Sequence, residues 1–259
     1  MNSLLVSCYP YALIKGARVR GLLLPEDGAE AETALIKAEE CKRDDSEWPC
    51  YRTLAQAERV EACTLVSDAS GGLPQCRSRM AGRFLAGAHD VWLQVDDDLF
   101  AEAPVIERMV GLARLNKGAI FTAPYLLRDG VTQSVGRLDR GPIGPGLLTV
   151  ETTGMGLVAM HRQALEAIAP YAPPFLAYGE RHRGYFYELI DEWCGWMGED
   201  MSFCRRAREA KVPIVALDDA PTCHAGRWSY MNADGSFTVH RATPLGAAQY
   251  VETLARAAQ

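Results

Sequence analysis

The fold is decided at Val91-Trp92-Leu93-Gln94-Val95-Asp96-Asp97-Asp98, a compact apolar strand that runs straight into three adjoining carboxylates. Three acids in a row repel one another, and at a buried strand end they are costly unless a cation neutralises them. Alternation along an extended chain puts Asp96 and Asp98 on one side and Asp97 on the other. Two carboxylates on one side can hold Mg2+ or Mn2+ and leave coordination positions open for diphosphate oxygens. That is the electrophilic help a nucleoside-diphosphate leaving group requires. The plain alternative is an acidic turn near the positive end of the next helix.

Outward from this stretch, strand and helix signals alternate. Upstream, residues 3–8 and 64–67 read as strands, and Met80, Ala81, Phe84, Leu85 and Ala88 recur at helical spacing. Downstream, Pro104 sits near the first turn of a helix whose Val105, Ile106, Met109, Val110 and Ala113 form one apolar stripe. Residues 119–123, 156–160 and 212–217 read as further strands, with a short helix carrying Ala164, Leu165 and Ile168 inward and another over 201–210. The glycines and prolines of 136–146 predict a loop and a candidate mobile one, and 170–184 reads as a second loop. The stretch 26–49 is the least patterned, with an exposed helix expected at 29–41, and 245–258 is expected to close the chain as a helix. Strands separated by helices imply an α/β fold: an open, mostly parallel sheet with helices on both faces, whose ligands bind beyond the carboxyl ends of the strands. A single domain over 1–259 is expected, divided into a nucleotide-binding half (1–100) and an acceptor-binding half (101–259).

Composition sets the bounds. With 259 residues, 48% of them apolar and 23% charged, the chain is ample for a full core. A net charge of -6 gives no global basic excess for a nucleic-acid backbone, although a local basic groove stays open. No apolar run is long enough to span a bilayer, and the first ten residues lack the features of a signal peptide. The eight cysteines are scattered without a CxxC pair, which argues against a zinc ribbon and for a reduced, cytoplasmic protein.

A second acidic pair, Glu199-Asp200, opens the helix at 201–210. Asp200, Phe203, Cys204 and Ala207 share one helical face, so Asp200 shares the inward direction while Arg205 and Arg206 point elsewhere. An acid in the first turn is stabilised as the anion, which suits a general base, but helix capping is the common use of such a residue. His224 follows the strand at 212–217 in a loop, where an α/β site would lie, and a neutral imidazole beside carboxylates suits Mn2+. Asp218 and Asp219 are the rival ligands. Among the aromatics 185–187, Trp193 and Trp196, most are expected to pack, with Trp196 the best candidate for an acceptor contact.

Residues 76–100, with Arg77 on a helix before a strand ending in D-x-D, resemble inverting glycosyltransferases of the GT-A fold, and the likeness runs from about Leu73 to Tyr230. The segment 198–214 looks like the E-D helix of that family, and His224-Ala225-Gly226 like its H-x-G. The resemblance implies a sugar transferred from a nucleotide-diphosphate sugar to an acceptor hydroxyl, with Mn2+ or Mg2+ as cofactor. It implies Asp96 and Asp97 at the donor, Asp98 with Asp96 and His224 at the metal, and Asp200 with Glu199 at the catalytic base. Arg77 becomes a donor contact, although Ser78 stands where the family often has Asn. Tyr9 and Pro10 would cradle the base, Asp68 the base or ribose, and Gly154 would lie near the acceptor. The acceptor itself (glycan, protein or modified nucleic acid) is not given by these residues. Two other functions compete: a metal-dependent carbohydrate-binding protein without turnover, and a sugar nucleotidyltransferase. The second would show a Gly-rich, basic loop after the first strand, where this chain has Tyr9-Pro10-Tyr11.

Overall fold

The structure is a computed structural model and describes residues 4–9, 57, 60–61, 63–67, 72–96, 99–127, 132–192, 195–224, 227–233 and 236–241. Its centre is an eight-stranded sheet in the order β2-β1-β3-β8-β5-β13-β7-β6. These strands are β1 (Leu4–Tyr9), β2 (Cys63–Ser67), β3 (Val91–Asp96), β5 (Ile120–Thr122), β6 (Val135–Gly144), β7 (Leu147–Thr153), β8 (Leu157–His161) and β13 (Ile214–Leu217). β1 lies parallel to β2 and β3, and β5 parallel to β13. β8 is inserted antiparallel to both β3 and β5, so β1, β2, β3, β5 and β13 all run the same way and end at one rim. The β6–β7 hairpin closes the edge antiparallel to β13.

Alternation decides the layers. Trp92, Val158, Met160 and Ile214 face a core shared with helices α1 (Leu73–Ala86), α3 (Arg162–Ile168) and α4 (Glu199–Glu209). Val91, Leu93, Val95, Leu157, Ala159 and Val215 face the opposite core, which receives the Val105, Ile106, Met109, Val110 and Ala113 stripe of α2 (Ala103–Leu115). The expected sheet with helices on both faces is therefore present. Trp92 is buried in the first core, and its indole N–H donates to Ser7 Oγ at 2.7 Å, which satisfies the one polar atom of that side chain.

Four expectations change. Residues 136–146 are not a loop, because 136–144 belong to β6. Its glycines and Pro142 are tolerated because β6 is the sheet edge and the register shifts around Pro142. Much of 170–184 forms a hairpin of β9 (Pro174–Ala177) and β10 (Glu180–Arg183), turned by Tyr178 and Gly179, both at positive φ. A second hairpin, β11 (Leu189–Asp191) with β12 (Gly195–Met197), leads into α4. His224 sits on a strand rather than in a loop: β14 (Thr222–His224) joins β4 (Leu99–Ala101), β15 (Arg227–Met231) and β16 (Phe237–Arg241) in a small antiparallel sheet. Arg206 is buried, because α4 is covered on that side too, and it donates to the Tyr185 carbonyl at 3.1 Å. The helices expected at 29–41 and 245–258 lie outside the described residues. Among the described residues no helix is long and apolar enough to cross a membrane.

Arg162 fastens the far end of α1. Its guanidinium donates to the carbonyls of Phe84, Leu85, Gly87 and His89 at 2.6–3.2 Å and stacks over the Phe84 ring. It supplies the donors that a helix C-terminus lacks. Arg162→Ala is expected to cost about 3 kcal/mol, the scale of losing a charged donor to several carbonyls, as read by urea denaturation. A loss within about 0.5 kcal/mol, the scale of an ordinary surface substitution, would contradict this assignment.

Candidate functional site

The site gathers where the parallel strands end. Asp96 is the last residue of β3. Helices α1 and α4 each lead, through a turn, into a strand of the parallel set, so their N-terminal turns lie at the same rim as Asp96. Arg77, in the second turn of α1, is buried and reaches across this rim. Its Nη2 donates to Asp96 Oδ1 at 2.7 Å, and its Nη1 donates to Glu199 Oε1 at 3.1 Å and to Asp200 Oδ1 at 2.5 Å. One guanidinium thus joins the first acid of D-x-D to both acids of the E-D helix, which lie 122 and 123 residues from it in the chain. Burial works against its charge, but Asp200, Asp96 and Glu199 outweigh it and hold Arg77 above its ordinary pKa. Its Nε remains buried without a hydrogen-bond partner.

Asp200 does not cap its own helix. Gly198 is the N-cap and makes no side-chain cap bond, while Asp200 accepts from Arg77, and the Met155 amide favours its anion. The helix dipole predicts a low pKa, but the Asp200 carboxyl is pushed up to about 6. Burial is the main cause; Glu199 and Asp96 add to it, while Arg77 and the Met155 amide oppose it. The turn carrying Met155 is fixed on every side. Gln94 Nε2 donates to the Met155 carbonyl at 2.6 Å, the Asp96 amide donates to the Gly156 carbonyl at 2.7 Å, and the Gly154 amide donates to the Ser134 carbonyl at 2.5 Å.

His224 approaches from the other sheet. Its register partner is Leu99, the residue that follows Asp98 in the sequence. His224 Nδ1 lies 2.6 Å from the Leu126 carbonyl oxygen. A carbonyl only accepts, so Nδ1 carries the proton and Nε2 is the ring nitrogen that could ligate a metal. Metal-binding histidines are oriented in the same way, by the hydrogen bond that the other ring nitrogen donates to a carbonyl or carboxylate. The donor chemistry therefore fits a divalent cation on the His224 side, although among the described residues no three His, Cys, Asp or Glu side chains form a metal cluster. Asp97 and Asp98 lie outside the described residues, as do Pro10 and Asp68. Of the rival ligands, Asp219 is engaged by Arg108 at 2.7 Å.

The other expected positions fall as follows. Tyr9 ends β1 with Asp96 as its register partner, which puts its backbone at the rim. Trp196 is exposed on β12, opposite the exposed Ile190 and three residues before Glu199. Gly154 lies against the Tyr125 hydroxyl, where a Cβ would come within 2.7 Å of that oxygen. Ser78 is buried and accepts from the Phe186 amide at 3.1 Å, a structural use. Sequence reasoning missed Gln94, Met155 and Tyr125. A glutamine inside an apolar strand, and a tyrosine three residues past the end of a parallel strand, were the available signals.

No protein-family model matches the sequence, and no curated protein matches it. Among solved structures the chain is similar to A197 from STIV, at 17% identity and a TM-score of 0.48, with 94% of this chain and 96% of that one covered. It is also similar to GalNAc-T7 crystallised with UDP, GalNAc and Mn2+, at 11% identity and a TM-score of 0.39, covering 84% of this chain and 42% of that one. UDP-glucose pyrophosphorylase complexed with UDP-glucose is similar at 8% identity and a TM-score of 0.42, with 84% and 90% covered. At these scores the likenesses assign no family and transfer no activity.

The charge arrangement sets a stability test. Arg77→Met leaves three acids that are 22–29% exposed without their cation. The expected cost near neutral pH is about 3 kcal/mol, the lower end for opening a buried pair. The sign in pH follows from linkage. A carboxyl whose folded pKa lies above its unfolded value, as with Asp200 at about 6 against the usual ~3.9, has its stabilising contribution in full at low pH. That contribution is lost as pH rises through the folded value. Without Arg77 this loss grows, so the deficit of Arg77→Met should shrink as pH is lowered from 8 towards 5 in urea denaturation. A deficit equal at both ends would contradict the role given to Arg77.

Proposed function

We propose that this chain is a metal-dependent glycosyltransferase that moves a sugar from a nucleotide-diphosphate sugar to an acceptor hydroxyl with inversion. The observation that supports it most is the meeting of Asp96 with Glu199 and Asp200 on Arg77 at the carboxyl rim; His224 adds an imidazole on the strand paired with Leu99, its Nδ1 turned to the Leu126 carbonyl. Asp98 and His224, with Asp96, would hold the divalent cation, and the cation supplies charge neutralisation for the departing diphosphate. Asp96 and Asp97, with Tyr9, Pro10 and Asp68 from the first hundred residues, would face the donor. Trp196 and Gly154, from the remainder of a single domain, would face the acceptor.

In this reading Arg77 serves the acids rather than the donor directly. Asp200, with Glu199 beside it, takes the proton of the acceptor hydroxyl. The oxygen then attacks the anomeric carbon as the bond from that carbon to the diphosphate oxygen breaks. A base whose pKa is about 6 is ionised at neutral pH and still close enough to it to transfer protons efficiently.

The test is a screen of nucleotide sugars with Mn2+, read by release of nucleoside diphosphate. A transferase releases the diphosphate. A nucleotidyltransferase would instead make nucleoside triphosphate and sugar 1-phosphate when given pyrophosphate, and a binding protein would make neither. Asp200→Asn is expected to keep donor binding and to lose transfer by at least about a hundredfold, the scale of removing a general base. The wild-type rate should fall as pH drops below about 6, the value set by Asp200. Undiminished transfer by Asp200→Asn would remove Asp200 from the role of base.

A further inference from the structure

Tyr125 touches both sides of the site and is assigned no role by the D-x-D, E-D and H-x-G pattern. Its side chain is buried, 4% exposed, three residues beyond β5. Its hydroxyl accepts the Gly156 N–H at 3.1 Å, and its ring lies 5.1 Å from the His224 ring at an interplanar angle of 56°. The hydroxyl also fills the space that side chains at two glycines would need. A Cβ on Gly154 would lie 2.7 Å from it, and one on Gly156 would lie 2.4 Å from it.

The segment holding Tyr125 is itself tied down. The Tyr125 amide donates to Ser134 Oγ at 2.9 Å, the Ser134 amide donates to the Tyr125 carbonyl at 2.8 Å, and Thr222 Oγ1 donates to the Pro124 carbonyl at 3.0 Å. Next along, the Leu126 carbonyl accepts from His224. Between the two glycines sits Met155, whose amide favours the Asp200 anion and whose carbonyl accepts from Gln94 at 2.6 Å. One side chain therefore seats the turn behind the base and backs the imidazole of the opposite sheet. Burial first, and then the charges of Asp96 and Asp200, hold the phenol neutral.

We propose that Tyr125 is a positioning residue: by seating the Gly154–Gly156 turn with its hydroxyl and backing His224 with its ring, it fixes Asp200 relative to the His224 side of the site. The kinetic part of this proposal rests on the glycosyl-transfer reading above, whereas the packing part does not.

Two measurements test it. The first is a melting-temperature cycle of Gly154→Ala, Tyr125→Phe and the double variant. Gly154→Ala is expected to lower the melting temperature by about 5 °C, the scale of one overpacked methyl in a chain of this size. In the Tyr125→Phe background less than half of that loss should remain. With the hydroxyl gone, the nearest atoms to the new methyl are Ser134 Cβ at 3.3 Å and the ring Cζ at 3.4 Å. Equal losses in both backgrounds would overturn the proposal.

The second is steady-state kinetics of Tyr125→Phe, expected to lower kcat about tenfold with donor KM within about twofold, the pattern of a base held less well in the transition state. Coupling in the melting cycle with an unchanged kcat would reduce Tyr125 to packing and overturn its positioning role. A wild type inert towards every nucleotide sugar, with the coupling intact, would fail the transfer reading and leave the structural linkage standing. Missing coupling in an active wild type would fail the linkage alone.

Discussion

A buried guanidinium has to find anions, and in this molecule that need holds the candidate site together. Arg77 cannot leave its place in α1 without carrying a charge through the core, and the acids at the rim cannot lie close together without it. The sheet makes the meeting unavoidable. α1 and α4 each precede a strand of the parallel set, so both begin at the rim where Asp96 ends β3. Buried ion pairs add little net stability over apolar packing, because desolvation offsets the attraction. What Arg77 supplies is geometry: it sets the spacing between a strand end and a helix start more than a hundred residues apart.

The turn at Gly154–Gly156 and the strand at His224 depend on the same frame. The turn is held by the backbone of Asp96 and by Gln94, both of which belong to a strand that the sheet has already fixed. His224 is placed by pairing with Leu99, two residues past the acidic triplet's middle member, and its ring is oriented by a backbone carbonyl that can only accept. Each of these side chains therefore has a fixed direction. Groups that must reorient during a reaction lose much of their electrostatic effect.

Much of the fold was legible in the sequence, because periodicity reports burial directly. The Val105-to-Ala113 stripe faces its core as its spacing demands, and Val91 to Val95 form the central strand. The elements that were misread are those where local chemistry and tertiary setting disagree. Pro142 and its neighbouring glycines look like a loop and form an edge strand, because an edge tolerates a missing donor. Tyr178-Gly179 is a hairpin turn whose flanking strands are too short and too polar to show alternation. In the site, the acids and the histidine were visible as residue types in order. The Arg77 clamp was not, because nothing local reveals which anions a buried arginine meets. Tyr125 stayed hidden for a similar reason: its partners are backbone atoms of a distant turn, which leave no mark in a pattern of side chains.

In the glycosyl-transfer reading, the rim with its acids and the imidazole of His224 must form one cation and nucleotide site. The most direct measurement is NMR of the protein with labelled histidines, titrated with small amounts of Mn2+ in the presence of each common nucleoside diphosphate in turn. Of the five histidines, His224 should lose its signal first through paramagnetic broadening with at least one of them. Broadening of another histidine ahead of it, or none at all with any nucleoside diphosphate, would contradict this.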